Sequence, residues 1–120
     1  MKRFLSPLTL LTLLTLTGAI LRIANLYWGQ PFWFHPDERN IASAVTRLHW
    51  PNQMDPDFFA YGTVPIYLNF FLVKALQAWF GVSEDPFFVA IKVGRWISAL
   101  LSTALIPLMY WIANRYLTSP

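Results

Sequence analysis

The sequence predicts an all-α membrane protein: two transmembrane helices joined by an extracytoplasmic loop that carries two short amphipathic or interfacial helices. Three observations predict it. The 120 residues are 56% hydrophobic and 12% charged, where a soluble domain carries about a quarter charged residues. The apolar residues fall in long blocks, with charge-free stretches at 7–21 and 96–114. Pro7, Pro36, Pro65 and Pro86 fall where helices are expected to start and Gly81 where one ends, which is the punctuation of helices. Six Trp and five Tyr suit membrane interfaces. The chain lacks Cys, which excludes disulfides and thiolate metal sites. The net charge of +3 is dispersed, so nucleic acid is excluded as a partner for want of a basic cluster.

The first span is expected over about 7–27. Ser6 is placed to cap it and Pro7 occupies the first helical position. At about 1.5 Å per residue it would be roughly 30 Å long, enough to cross a hydrocarbon core. Thr9, Thr12, Thr15 and Thr17 can bond back to their own helix or mark a packed face. A cleaved signal peptide is the rival reading: Lys2 and Arg3 form a basic start, and Thr17-Gly18-Ala19 resembles a cleavage site. The apolar run exceeds the roughly 7–15 residues of a signal peptide's core, which favours an anchor. In either case Lys2 and Arg3 hold the N-terminus in the cytoplasm. Arg22 can snorkel to the outer headgroups.

The loop, about 28–85, begins with an aromatic belt of Tyr27, Trp28, Phe32, Trp33 and Phe34, broken by Gly29 and Pro31. A helix is expected over 36–48. Ile41, Ala44, Val45 and Leu48 form its apolar stripe, with Arg39, Ser43 and Arg47 opposite. On this wheel Asp37 falls in the middle of the stripe and Glu38 at its edge. A carboxylate so placed is costly unless a partner, a metal or a substrate meets it. Pro36-Asp37-Glu38 is equally a common helix opening, favourable to the macrodipole by about 0.3–1 kcal/mol. His35 reads as an interface histidine or as a weak metal ligand.

A turn-rich stretch at 51–57 and an aromatic Phe58-Phe59-Ala60-Tyr61-Gly62 follow. The second loop helix is expected over 64–80, with Pro65 in its first turn and Gly81 past its end. Its apolar face is Leu68, Phe71, Leu72, Ala75, Leu76 and Trp79. With Lys74 inside, it reads as a helix lying in the outer interface. The second span, over about 86–117, starts at the Asp85 cap. It is longer than a bilayer needs, so its first turns should project outside. Pro107 is a possible kink site, and Arg115 lies on the cytoplasmic side. Lys92 and Arg95 share a helix face. Lys92 suits headgroup anchoring, and the planar fork of Arg95 suits a phosphate.

The order of these parts resembles the N-terminal part of the GT-C membrane glycosyltransferases, in particular bacterial relatives of protein O-mannosyltransferases and of the lipid A aminoarabinose transferase. Phe34-His35-Pro36-Asp37-Glu38, Asp57-Phe58-Phe59-Ala60-Tyr61-Gly62 and Arg95-Trp96-Ile97-Ser98-Ala99-Leu100 carry the match, which covers essentially the whole chain. The resemblance implies a polyprenyl-phosphate-linked sugar donor and a protein, lipid or glycan acceptor, with transfer at the outer face of the cytoplasmic membrane. It implies Asp37 as general base, with Glu38 orienting the acceptor or a metal. Arg95, with Lys92 and Tyr61, would bind substrate or its phosphate. A divalent ion held by His35 and Glu38 is the cofactor it allows. Members of that family have more spans and a further outer domain, so the chain is expected to be an N-terminal segment, inactive alone. The competing expectation is a non-enzymatic membrane subunit that docks on a partner through its amphipathic helices.

Overall fold

The computed structural model describes residues 6–117. Among them are four helices and no strand: α1 Pro7–Ile23, α2 Pro36–Arg47, α3 Val64–Phe80 and α4 Pro86–Leu117. Lys2 and Arg3 lie outside the described residues. The chain divides into two compact units, Tyr27–Arg95 and, from the two ends, Met1–Leu26 with Trp96–Pro120.

In the unit built from the two ends, α1 begins as its sequence dictates. The Ser6 hydroxyl accepts the Thr9 amide at 3.1 Å, and Pro7 opens the first turn. Thr12 donates back to the Leu8 carbonyl at 2.9 Å. The helix stops at Ile23 rather than running on to Tyr27. The Leu26 amide turns to the Ile23 carbonyl at 3.1 Å, the tightened bond that ends helices. Its 17 residues span about 26 Å, the short end of what crosses a membrane. Gly18 is buried, and a Cβ there would meet Ile106 Cδ1 of α4 at 2.6 Å. Arg22 reaches the same helix, its Nε donating to Ser102 Oγ at 2.8 Å.

α4 has 32 residues and is, among the described residues, the helix long and apolar enough to cross a membrane. Leu100, Leu101, Leu105, Met109 and Trp111 are all exposed. Such a surface needs an apolar surrounding or partner, since monomeric soluble proteins rarely show large apolar patches. Pro107 sits inside it and removes one rung of its hydrogen-bond ladder.

The other unit has a core of Ala42, Ala44 and Val45 from α2 with Leu48 just past its end, Ile66, Phe70 and Val73 from α3, and Val89, Ala90, Ile91 and Val93 from the start of α4. The expected face of α3 is not the one that packs. Leu68, Phe71, Leu72 and Trp79 are exposed, while Ile66, Asn69, Phe70 and Val73 are buried. The helix is apolar nearly all round, so its periodicity marks no inner side. Asn69 enters the core because its amide donates to the Ala90 carbonyl at 2.9 Å. Gly81 ends α3 at φ +63°, the left-handed cap that glycine adopts freely.

The 51–57 segment is tied from both flanking helices. Arg47 Nε and Nη2 donate to the Pro56 carbonyl at 2.9 and 2.7 Å. Tyr67 Oη donates to the Met54 carbonyl at 2.9 Å. These ties hold the following aromatic turn, and with it Tyr61, near the start of α2.

Candidate functional site

Pro36 at the first helical position launches α2 with Asp37 and Glu38 in its first turn. Adjacent residues on a helix point about 100° apart, so the two carboxylates meet different surroundings. The sequence placed Asp37 on the inner stripe and Glu38 at its edge. The stripe holds over its second half, where Ala44, Val45 and Leu48 are buried and Ala42 joins them, while Ile41 and both acids are half-buried. Of the two acids it is Glu38, not Asp37, whose side chain is the more covered.

Glu38, its side chain 25% exposed, receives a two-pronged contact from Arg95. Nε donates to Oε1 at 3.0 Å and Nη2 to Oε2 at 2.8 Å. Nη1 donates to the Trp28 carbonyl at 2.8 Å. The guanidinium lies against two indole rings, 5.1 Å from the Trp28 centroid and 4.8 Å from that of Trp33. Fork-to-fork pairing and cation–π contact both gain strength when water is excluded, and the Arg95 side chain is only 5% exposed. Trp33 holds its place at φ +46°, a conformation that costs a bulky residue about 1–3 kcal/mol. Its backbone amide donates to the Gly29 carbonyl at 3.0 Å, and its ring stacks on Phe88.

Asp37 stays at the surface, its side chain 51% exposed. Tyr61 Oη donates to its Oδ1 at 2.6 Å, and His35 Nδ1 lies 4.0 Å from Oδ2. The hydrogen bond to Asp37 pushes the Tyr61 phenol above its ordinary value of 10.0, with lesser contributions from desolvation and from the charge of Asp37. Ionising Tyr61 would lose that bond and set two negative charges side by side.

The structure therefore gathers His35, Asp37 and Tyr61 in one place and pairs Glu38 with Arg95 beside them. Lys92 is engaged elsewhere, its Nζ 2.7 Å from both oxygens of Glu84. For the divalent ion, His35 and Asp37 are the donors that stand together on the open side, since both Glu38 oxygens face Arg95. No group of three His, Cys, Asp or Glu forms among the described residues.

Sequence reasoning read Trp28 and Trp33 only as membrane-interface aromatics and missed their contact with Arg95. One signal pointed that way: an Arg on an apolar helix needs partners when it is buried. Comparisons with protein-family models, curated proteins and solved structures found no match.

Proposed function

We propose that the chain is the N-terminal segment of an integral-membrane glycosyltransferase of GT-C type, with Asp37 as its general base. The observation that carries this reading is the Tyr61 hydroxyl seated on the exposed Asp37 carboxylate at 2.6 Å. The carboxylate side chain is 51% exposed, and it already accepts a hydrogen bond from a hydroxyl in the geometry that a base needs.

An acceptor hydroxyl replaces Tyr61 at Asp37 and gives up its proton to the carboxylate. Its oxygen attacks the anomeric carbon of the sugar. The bond from that carbon to the phosphate oxygen breaks, and the polyprenyl phosphate leaves with the electron pair. Arg95 acts in this scheme as a positioning residue, since its fork is closed on Glu38. Glu38 fixes the first turn of α2 and hence the direction of Asp37. Lys92, on exchanging Glu84 for the donor phosphate, supplies the cation.

The same proposal makes α1 and α4 the two spans, in the cytoplasmic membrane. The close approach of Gly18 to Ile106 and the Arg22–Ser102 bond support their packing as a pair. With the N-terminus cytoplasmic, the 28–85 loop and Asp37 face outside. The outward apolar face of α3 supports its lying in the membrane surface.

In the full-length protein, Asp37→Asn leaves the fold intact and lowers sugar transfer by about 10²–10⁴-fold, the usual contribution of a general base. Transfer at a near-normal rate would refute the assignment. The exposed α3 face, with Trp79 at 80% and Val64 at 75% exposure, favours a second reading, a docking subunit without catalysis. Leu48 is buried, so docking would use Leu68 and Phe71 instead. Under that reading, Leu68→Ser with Phe71→Ser releases the partner and Asp37→Asn is silent.

A further inference from the structure

A cleft of about 210 Å³ opens between the end of α2, the middle of α3 and the start of α4, built from residues other than those of the Asp37 cluster. Its apolar lining includes Leu48, Phe70 and Val73, each 2% exposed or less. Lys74, Asp85, His49 and Thr46 supply its polar groups, and the Thr46 hydroxyl is spent on the Ser43 carbonyl. Among the described residues, neither Lys74 nor Asp85 has an ion-pair partner, although they share the cleft. Lys74 Nζ rests 5.6 Å from the Phe70 ring centroid. Asp85 Oδ1 caps α4 by accepting the Phe87 amide at 2.8 Å, which leaves Oδ2 for another donor. His49 Nδ1 bonds the Arg47 carbonyl at 3.0 Å, so the neutral ring keeps Nε2 as an acceptor.

We infer that this cleft binds one zwitterionic phospholipid with a primary ammonium head, of the phosphatidylethanolamine class. The charges are complementary group by group. Lys74 faces the phosphate. The ammonium has three donors, and Asp85 Oδ2 and His49 Nε2 accept from it. Leu48, Phe70 and Val73 close the floor of the cleft, and the acyl chains run outside it beside the exposed Trp50 and Phe71. A quaternary choline head lacks those N–H donors, and a glycerol head lacks the positive charge. Trp50, 67% exposed and stacked edge-on with Phe71, stands next in sequence to His49 as an interfacial anchor. The inference rests on the membrane placement of the chain and not on the chemistry of Asp37.

The test is native mass spectrometry of the full-length protein released from maltoside micelles doped equally with phosphatidylethanolamine and phosphatidylglycerol. The wild type retains phosphatidylethanolamine in preference. Lys74→Ala and Asp85→Asn each lower that retention about tenfold, as the loss of one charged contact does. Asn still caps α4, and Lys74→Arg keeps retention, so unfolding is separated from lost binding. Asp37→Asn retains the lipid as the wild type does, which keeps this outcome distinct from that of the transfer assay. Equal retention of the two lipids, or wild-type retention in Lys74→Ala, would overturn the inference. Soluble phosphoethanolamine competing as strongly as the lipid would overturn the assignment to a lipid.

Discussion

Two arginines, one in each unit, sit on apolar helices and are satisfied in opposite ways. Arg95 has a carboxylate, a carbonyl and two indole rings around its guanidinium. Arg22 has a serine hydroxyl and, through Nη1, the Gly18 carbonyl at 2.9 Å. All six acids of the chain lie between positions 37 and 85, so the unit formed by the two ends carries no acidic side chain to offer Arg22. The buried arginine is paired with an opposite charge, while the exposed one makes do with neutral oxygens. A desolvated cation needs a counter-ion, whereas one that can snorkel keeps its charge in water or among headgroups.

Breaking the charged side of this comparison should have the largest effect on stability. Glu38→Gln leaves Arg95 buried without its anion and should cost about 3–5 kcal/mol, read as a fall in the thermal midpoint in detergent. A double cycle with Arg95→Gln should show strong coupling, and additive losses would mean that the pair is not a unit. The neutral side is gentler. Gly18→Leu forces a side chain against Ile106 and should cost about 1–3 kcal/mol, seen in the same scan. Arg22→Gln removes hydrogen bonds to neutral groups and should cost about 0.5–1.5 kcal/mol.

The smallest effect sharpens the contrast between Asp37 and Glu38. The Tyr61 phenol should titrate above its ordinary value, and Asp37→Asn should return it toward that value, followed by ultraviolet difference absorbance. Because the folded state raises this value, the associated stability is fully present below about pH 10, the ordinary phenol value. It is lost as pH rises through the folded one. A Tyr61 titration unmoved by Asp37→Asn would separate the two side chains in solution.

Much of the secondary structure was legible because its causes are local. Ser6-Pro7, Pro36, Pro65 and Gly81 mark helix ends by capping and fixed φ, and the expected bounds of α3 match those observed. The end of α1 was read four residues late because apolar residues continue past Ile23 while the chain has already turned. The site was legible in part. Asp37 and Tyr61 were both singled out, but nothing local joined them. The resemblance gives Glu38 to the acceptor or a metal and Arg95 to a phosphate, and the structure turns them toward each other.

By itself the sequence determined the helical class, the placement of most helices and the confinement of every acid to the middle of the chain. These follow from propensity, capping and composition, which act over a few residues. Tertiary structure alone decided which acid faces inward and which face of α3 packs. Glu38 and Arg95 are 57 residues apart, and their pairing depends on how α2 and the start of α4 are brought together. A helix that is apolar all round carries no record of which side will find a partner, so its inner face is set by the shapes it meets.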